Sequence, residues 1–155
     1  MTATALLIVH GLVAVALLGA ITHQTLATWA PPGAKPGSFF GHFRSVPSVR
    51  FANAFIALYL VAALLGAIVY LYFRVDVRPQ LERDAHFEAL GLFDLKEHFI
   101  SIGLGLLPAY WFAWRRPLAV DLGGWRVALT GIFAFIVWWS YLIGHILNNV
   151  LGFGS

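Results

Sequence analysis

The sequence predicts an all-α fold: an integral membrane, antiparallel four-helix bundle in which residues 1–155 make one transmembrane domain. Three observations predict it. Of the 155 residues, 60% are hydrophobic and only 11% charged, and the mean hydropathy is +0.80, which leaves too little polar surface for a water-soluble domain of this size. Four apolar runs reach the roughly 18 to 20 residues that a helix needs to cross a hydrocarbon core. The Lys and Arg residues gather at the ends of those runs, so the pI near 9.6 reads as helix orientation and not as nucleic-acid binding. The absence of cysteine excludes disulfides, thiolate metal sites, iron–sulfur clusters and covalently attached haem.

The first run, about Thr4 to Trp29, lacks the basic leader and small-residue cleavage pattern of a signal peptide and is expected to be retained as span one. The connection Ala30 to Arg50 is punctuated by Pro31, Pro32, Gly33, Pro36, Gly37 and Pro47. Within it, Phe39 to Arg44 is aromatic and basic, as suits a segment at the headgroup boundary. Span two, about Phe51 to Phe73, is rich in Ala and Leu and holds no histidine. Arg74 to Lys96 is strongly polar and is expected to form a surface loop, 74–94, where Pro79 opens a short helix that Gly91 closes, lying on the membrane as a cover. His86 in that loop reads as a solvated residue. Span three, about Leu95 to Trp114, stops at Arg115, Arg116 and Pro117; span four, about Trp125 to Val150, follows a Gly123-Gly124 turn.

Basic residues orient the bundle. Lys35, Arg44, Arg50, Arg115, Arg116 and Arg126 flank one side and Arg74, Arg78, Arg83 and Lys96 the other, which predicts both termini outside, in a membrane such as the bacterial inner membrane.

The stretch from Leu95 to Trp111 organises the functional reading. On a helix His98, Ser101, Gly105 and Pro108 fall three, four and three residues apart, so they share one face. The histidine offers a ligand, and the glycine offers bare backbone against which a flat ring can lie. Small residues on such a face also serve plain helix-to-helix packing. At about 1.5 Å per residue, His10, His98 and His145 lie within about 5 Å of one level in spans one, three and four, on one side of the membrane. Ionisable side chains within spans are costly and face the interior as a rule, so three at one level predict a shared site. Tyr141, His145, Asn148 and Asn149 share a face on span four and require partners.

Two neutral imidazoles on facing helices suit the axial positions of a b-type haem, and zinc or copper are the other ions they hold well. Trp111, Trp138, Trp139 and Tyr141 would wall the ring, Gly103 and Gly105 would let it approach, and Asn148, Arg78 or Lys96 would meet its propionates. His98 belongs to both favoured ligand pairs, with His10 across the bundle or with His145 alongside. Replacing it with Ala is therefore expected to remove the cofactor. Glu97 points about 100° away from His98 and reads as an interface or loop partner, or as a carboxylate that orients an imidazole. A second haem would fall to His23 and His42, on the other side.

On helix count and on His10, His98 and His145, the chain resembles the small four-helix b-type cytochromes and the cytochrome b anchor subunits of membrane oxidoreductases. The resemblance implies electron transfer between a redox partner and the quinone pool, with a quinone site possible, as part of a larger membrane redox complex. Two other readings stand beside it: a cofactor-free structural or assembly subunit, and a metal or proton site in which His10, His98, Glu97 and His145 bind zinc or copper. No hydrolytic triad or phosphate loop is present, so any catalysis is expected to be redox and completed by another subunit.

Overall fold

The computed structural model describes residues 2–29, 35, 37–44, 48–115 and 122–150. All the regular structure among them is helical: α1 (Thr2–Trp29), α2 (Phe39–Arg44), α3 (Ser48–Tyr72), α4 (Arg78–Arg83), α5 (Phe87–Arg115) and α6 (Gly123–Val150). The four long helices pack in a ring. α1 contacts α3 and α6, and α5 contacts the same two from the opposite corner. Among the described residues three helical stretches are long and apolar enough to cross a membrane: Thr4–Trp29, Val49–Arg83 and Gly123–Leu147. The predicted third span is not among them. The charges of α5 crowd its first turns, and Gly103, Gly105, Pro108, Tyr110, Trp111 and Trp114 dilute the aliphatic residues of the rest.

Helix α1 carries Thr22, Thr25 and Thr28, whose hydroxyls donate to the carbonyls of Leu18, Ile21 and Gln24 at 2.7, 2.8 and 2.6 Å. Each polar side chain is thereby satisfied within its own helix, as a helix out of water requires. Ser38 caps α2, its Oγ accepting from the Gly41 amide at 3.1 Å.

The polar stretch after α3 is not a separate surface helix. One wide π turn, Phe73–Val77, carries α3 directly into α4, and its closing bond runs from the Arg78 amide back to the Phe73 carbonyl. The widened turn accommodates Pro79, which has no amide to donate and stands in the first turn of α4. The chain then reverses over Asp84, Ala85 and His86, with Ala85 in the left-handed region at φ 59°. The Asp84 and His86 amides donate to Gln80 and Leu81, closing α4. Gly91, expected to end a helix, lies inside α5. Arg78 ties the two arms of this hairpin together, donating to Glu82 at 3.0 Å and to both carboxylate oxygens of Asp94 at 3.2 and 3.4 Å. Stacked rings of Tyr70, Phe73 and Phe93 continue the contact inward.

The core between the four long helices is aromatic. Phe55 and Tyr59 of α3, Tyr110 of α5 and Phe133 of α6 are all buried and meet in edge-to-face pairs, with centroids 5.1 Å apart for Phe55–Tyr110, Phe55–Phe133 and Tyr110–Phe133 and 5.5 Å for Tyr59–Phe133. Gly103 makes this layer possible. The Tyr59 hydroxyl occupies the place that a Cβ on residue 103 would take, and from there it donates to the Ile100 carbonyl at 3.0 Å.

Candidate functional site

Helix α5 decides which predicted residues can work together. Its inward stripe is Gly103, Leu107, Tyr110 and Trp114, all buried, with Ile100 packed against the core above them. The stripe picked out in the sequence lies on the other side: His98, Ser101, Gly105 and Pro108 are all exposed. His98 Nδ1–H donates to the Asp94 carbonyl at 2.7 Å, and Ser101 Oγ donates to the Glu97 carbonyl at 2.9 Å. No atom of another residue lies within 4 Å of where a Gly105 Cβ would be. At the polar end of a long helix a histidine can face outward and remain hydrated, so the cost that would drive it inward at mid-depth does not arise.

The other predicted residues are dispersed. His145 is exposed and lies parallel to the Tyr141 ring, at 6.2 Å. The Asn148 side chain lies outside the described residues. His23 stacks on Phe51 at 3.9 Å, about 20 Å from His10 along the axis of α1. His42 and His86 are exposed. Trp138 is exposed and donates to Thr22 Oγ1 at 3.1 Å, whereas Trp139 packs its ring against Phe99 and Phe135. Trp111 is exposed beneath the Arg115 guanidinium. Among the described residues no three His, Asp or Glu side chains converge as a metal site.

His10 alone of the three histidines faces the interior. It lines a cavity of about 90 Å³ at the hairpin end, between all four long helices. Its walls are Ala14 and Leu17 from α1, Tyr59, Ala62, Ala63 and Gly66 from α3, Lys96, Glu97 and Ile100 from α5, and Val137, Ser140 and Tyr141 from α6. Gly66 makes room for the imidazole, since a Cβ there would stand 3.2 Å from His10 Cε1. Two buried polar atoms at the cavity, His10 Nδ1 and Ser140 Oγ, have no hydrogen-bond partner within the protein. Buried polar groups are nearly always paired, so these two mark places for a ligand or for water. Lys96 and Glu97 stand at the mouth, paired at 3.0 Å, and the ammonium also sits over the Phe93 ring at 4.2 Å.

This cavity can take several waters or, through its mouth, the edge of a ring, since enclosing even a benzene takes about 150 Å³. It is well below the several hundred Å³ of sites that enclose larger ligands, and His98 and His145 lie outside it. The residues therefore do not fit a haem gripped between two histidines inside the four helices. What they offer is one imidazole, three hydroxyls and an ion pair around an apolar floor.

Sequence reasoning missed a second polar cluster. Gln24, Tyr110 and Thr130, from α1, α5 and α6, are completely buried. The Tyr110 hydroxyl faces the side chains of Thr130, Gln24 and Trp114. Arg126 closes this end, its Nε donating to the Ala113 carbonyl at 2.8 Å. The available signal was a glutamine and a threonine in the middle of apolar runs, each of which needs a partner. Neither family models, curated proteins nor solved structures yielded a match to this chain.

Proposed function

We propose that the chain is an antiparallel four-helix bundle integrated in a membrane, acting as a quinone-binding subunit that works with a partner redox protein, and that the quinone headgroup docks at the mouth of the His10 cavity with one carbonyl edge inside it. The outward faces of the helices support integration: Leu12, Val15, Leu64, Leu71, Ile132, Phe135 and Ile146 are all exposed, far more apolar surface than a soluble monomer presents. The observation that carries the ligand is the pair of unpartnered polar atoms, His10 Nδ1 and Ser140 Oγ, in a cavity with Leu17, Ile100 and Val137 in its walls. A quinone headgroup is small and flat, carries two acceptor oxygens, and reaches such a site from the lipid. A hydroxyl donates to one of these oxygens, and the imidazole donates to the other in the tautomer that carries its proton on Nδ1. In this reading electrons come from the partner, and both termini lie outside, in a membrane such as the bacterial inner membrane.

A b-type haem with His10 as axial ligand is the second reading, favoured by the same unpaired nitrogen. It requires the helices to part around the porphyrin. Purified protein in lipid nanodiscs separates the readings. Titration with a short-chain ubiquinone analogue, followed by quenching of tryptophan fluorescence, is expected to saturate at about one quinone per chain, with no Soret band before or after dithionite. A Soret band with sharp α and β bands on reduction would establish the haem instead. A colourless protein that leaves the quinone unbound would return the chain to a structural or assembly subunit.

A further inference from the structure

We infer that Glu97 is the proton-transfer group of the His10 cavity, exchanging protons between the quinone headgroup and water at the hairpin end; this rests on the quinone reading above. Quinone chemistry moves protons with electrons. Two electrons from the reduced partner and two protons convert the two C=O groups to C–O–H, and the reverse reaction releases both protons. A titratable group at the mouth of the cavity can carry those protons between the ring oxygens inside and the water outside.

The lining groups differ in whether they can serve. From α1 comes His10, set within the cavity. From α3 comes Tyr59, whose hydroxyl is committed to the Ile100 carbonyl. From α6 come Ser140 and Tyr141, which bring hydroxyls and no charge. From α5 come Lys96, with a side chain only 15% exposed and its ammonium held by Glu97 and the Phe93 ring, and Glu97 itself, 38% exposed. Glu97 thus both lines the cavity and is exposed at its mouth. The neighbouring carboxylate, Asp94, is bound by Arg78 and does not line the cavity.

In each half of the reduction the Glu97 carboxylate takes a proton from water and passes it to a ring oxygen as an electron arrives. The carboxylate left behind is stabilised by Lys96 and takes a new proton from water, so two such cycles deliver both protons of the quinol. Oxidation runs the same path backwards.

The test uses the full chain in nanodiscs, loaded with one equivalent of short-chain ubiquinone and reduced by dithionite in a stopped-flow instrument. Loss of the quinone ultraviolet band gives the rate. The wild-type rate is expected to fall as pH rises through the titration of one group. Glu97→Gln is expected to slow it about a hundredfold and abolish that pH profile, and Glu97→Asp to restore most of it. Glutamine keeps an oxygen for Lys96, and an unchanged melting temperature verifies the fold. A Glu97→Gln rate and pH profile equal to wild type, with quinone bound, would overturn this inference and leave the quinone site standing. Failure of the wild type to bind quinone would overturn both.

Discussion

Gly103→Ala is expected to lower the stability of the chain by about 3 kcal/mol, whereas Gly105→Ala, half a turn away, leaves it unchanged or raises it by up to about 1 kcal/mol. The Tyr59 hydroxyl stands where the new Cβ would be placed, and Phe133 Cε1 lies 3.4 Å from that point. Tyr59 is buried, with Phe55 and Phe133 against its ring, so the ring cannot swing aside without dismantling the layer. Moving it also breaks its bond to the Ile100 carbonyl, and a buried hydroxyl left without a partner adds about 1–3 kcal/mol to the cost of overpacking. Gly105 faces outward with open space around it, and Ala is the better helix former. Melting temperatures of the two variants in detergent measure the difference. Equal losses for both would mean that α5 is turned the other way.

The second large effect concerns the ligand. His10→Ala is expected to weaken quinone binding at least tenfold, because it removes the only imidazole in the cavity and one of its two unpartnered polar atoms. A tenfold change corresponds to about 1.4 kcal/mol, within the range of a single hydrogen bond to a buried group. His98→Ala is expected to leave affinity unchanged. That reverses the order expected from sequence spacing, in which His98 carried the cofactor. The same fluorescence titration measures both variants.

The helices were legible because apolar run length depends on composition alone. Predicted spans from Thr4 to Trp29 and Trp125 to Val150 match α1 and α6 at their far ends and to within two residues at their starts. The π turn was not legible. Pro79 reads as a helix opener in isolation, and only the register of the preceding helix shows that a wide turn absorbs it. The depth argument named His10, His98 and His145, and of these His10 alone lines the cavity, beside Lys96, Glu97 and Tyr141. Rotation was the part that failed. Two stripes run down α5, one polar and small through His98 and Gly105, the other large and aromatic through Gly103, Leu107, Tyr110 and Trp114. Near the end of a helix polar residues are not forced inward, so the stripe with more surface to bury took the interior. With that rotation Glu97, read in the sequence as an interface or loop partner or as a carboxylate that orients an imidazole, lines the cavity with His10, and His98 faces outward.

The most direct test of the His10 cavity as the working site is photolabelling with a short-chain azidoquinone in nanodiscs, followed by peptide mapping. Label on His10 to Leu17 of α1 and on Val137 to Tyr141 of α6, competed away by unmodified quinone, is the predicted result. Label confined to the outward face of α5 between Ser101 and Trp111, or to the far end around Gln24 to Trp29, would contradict it.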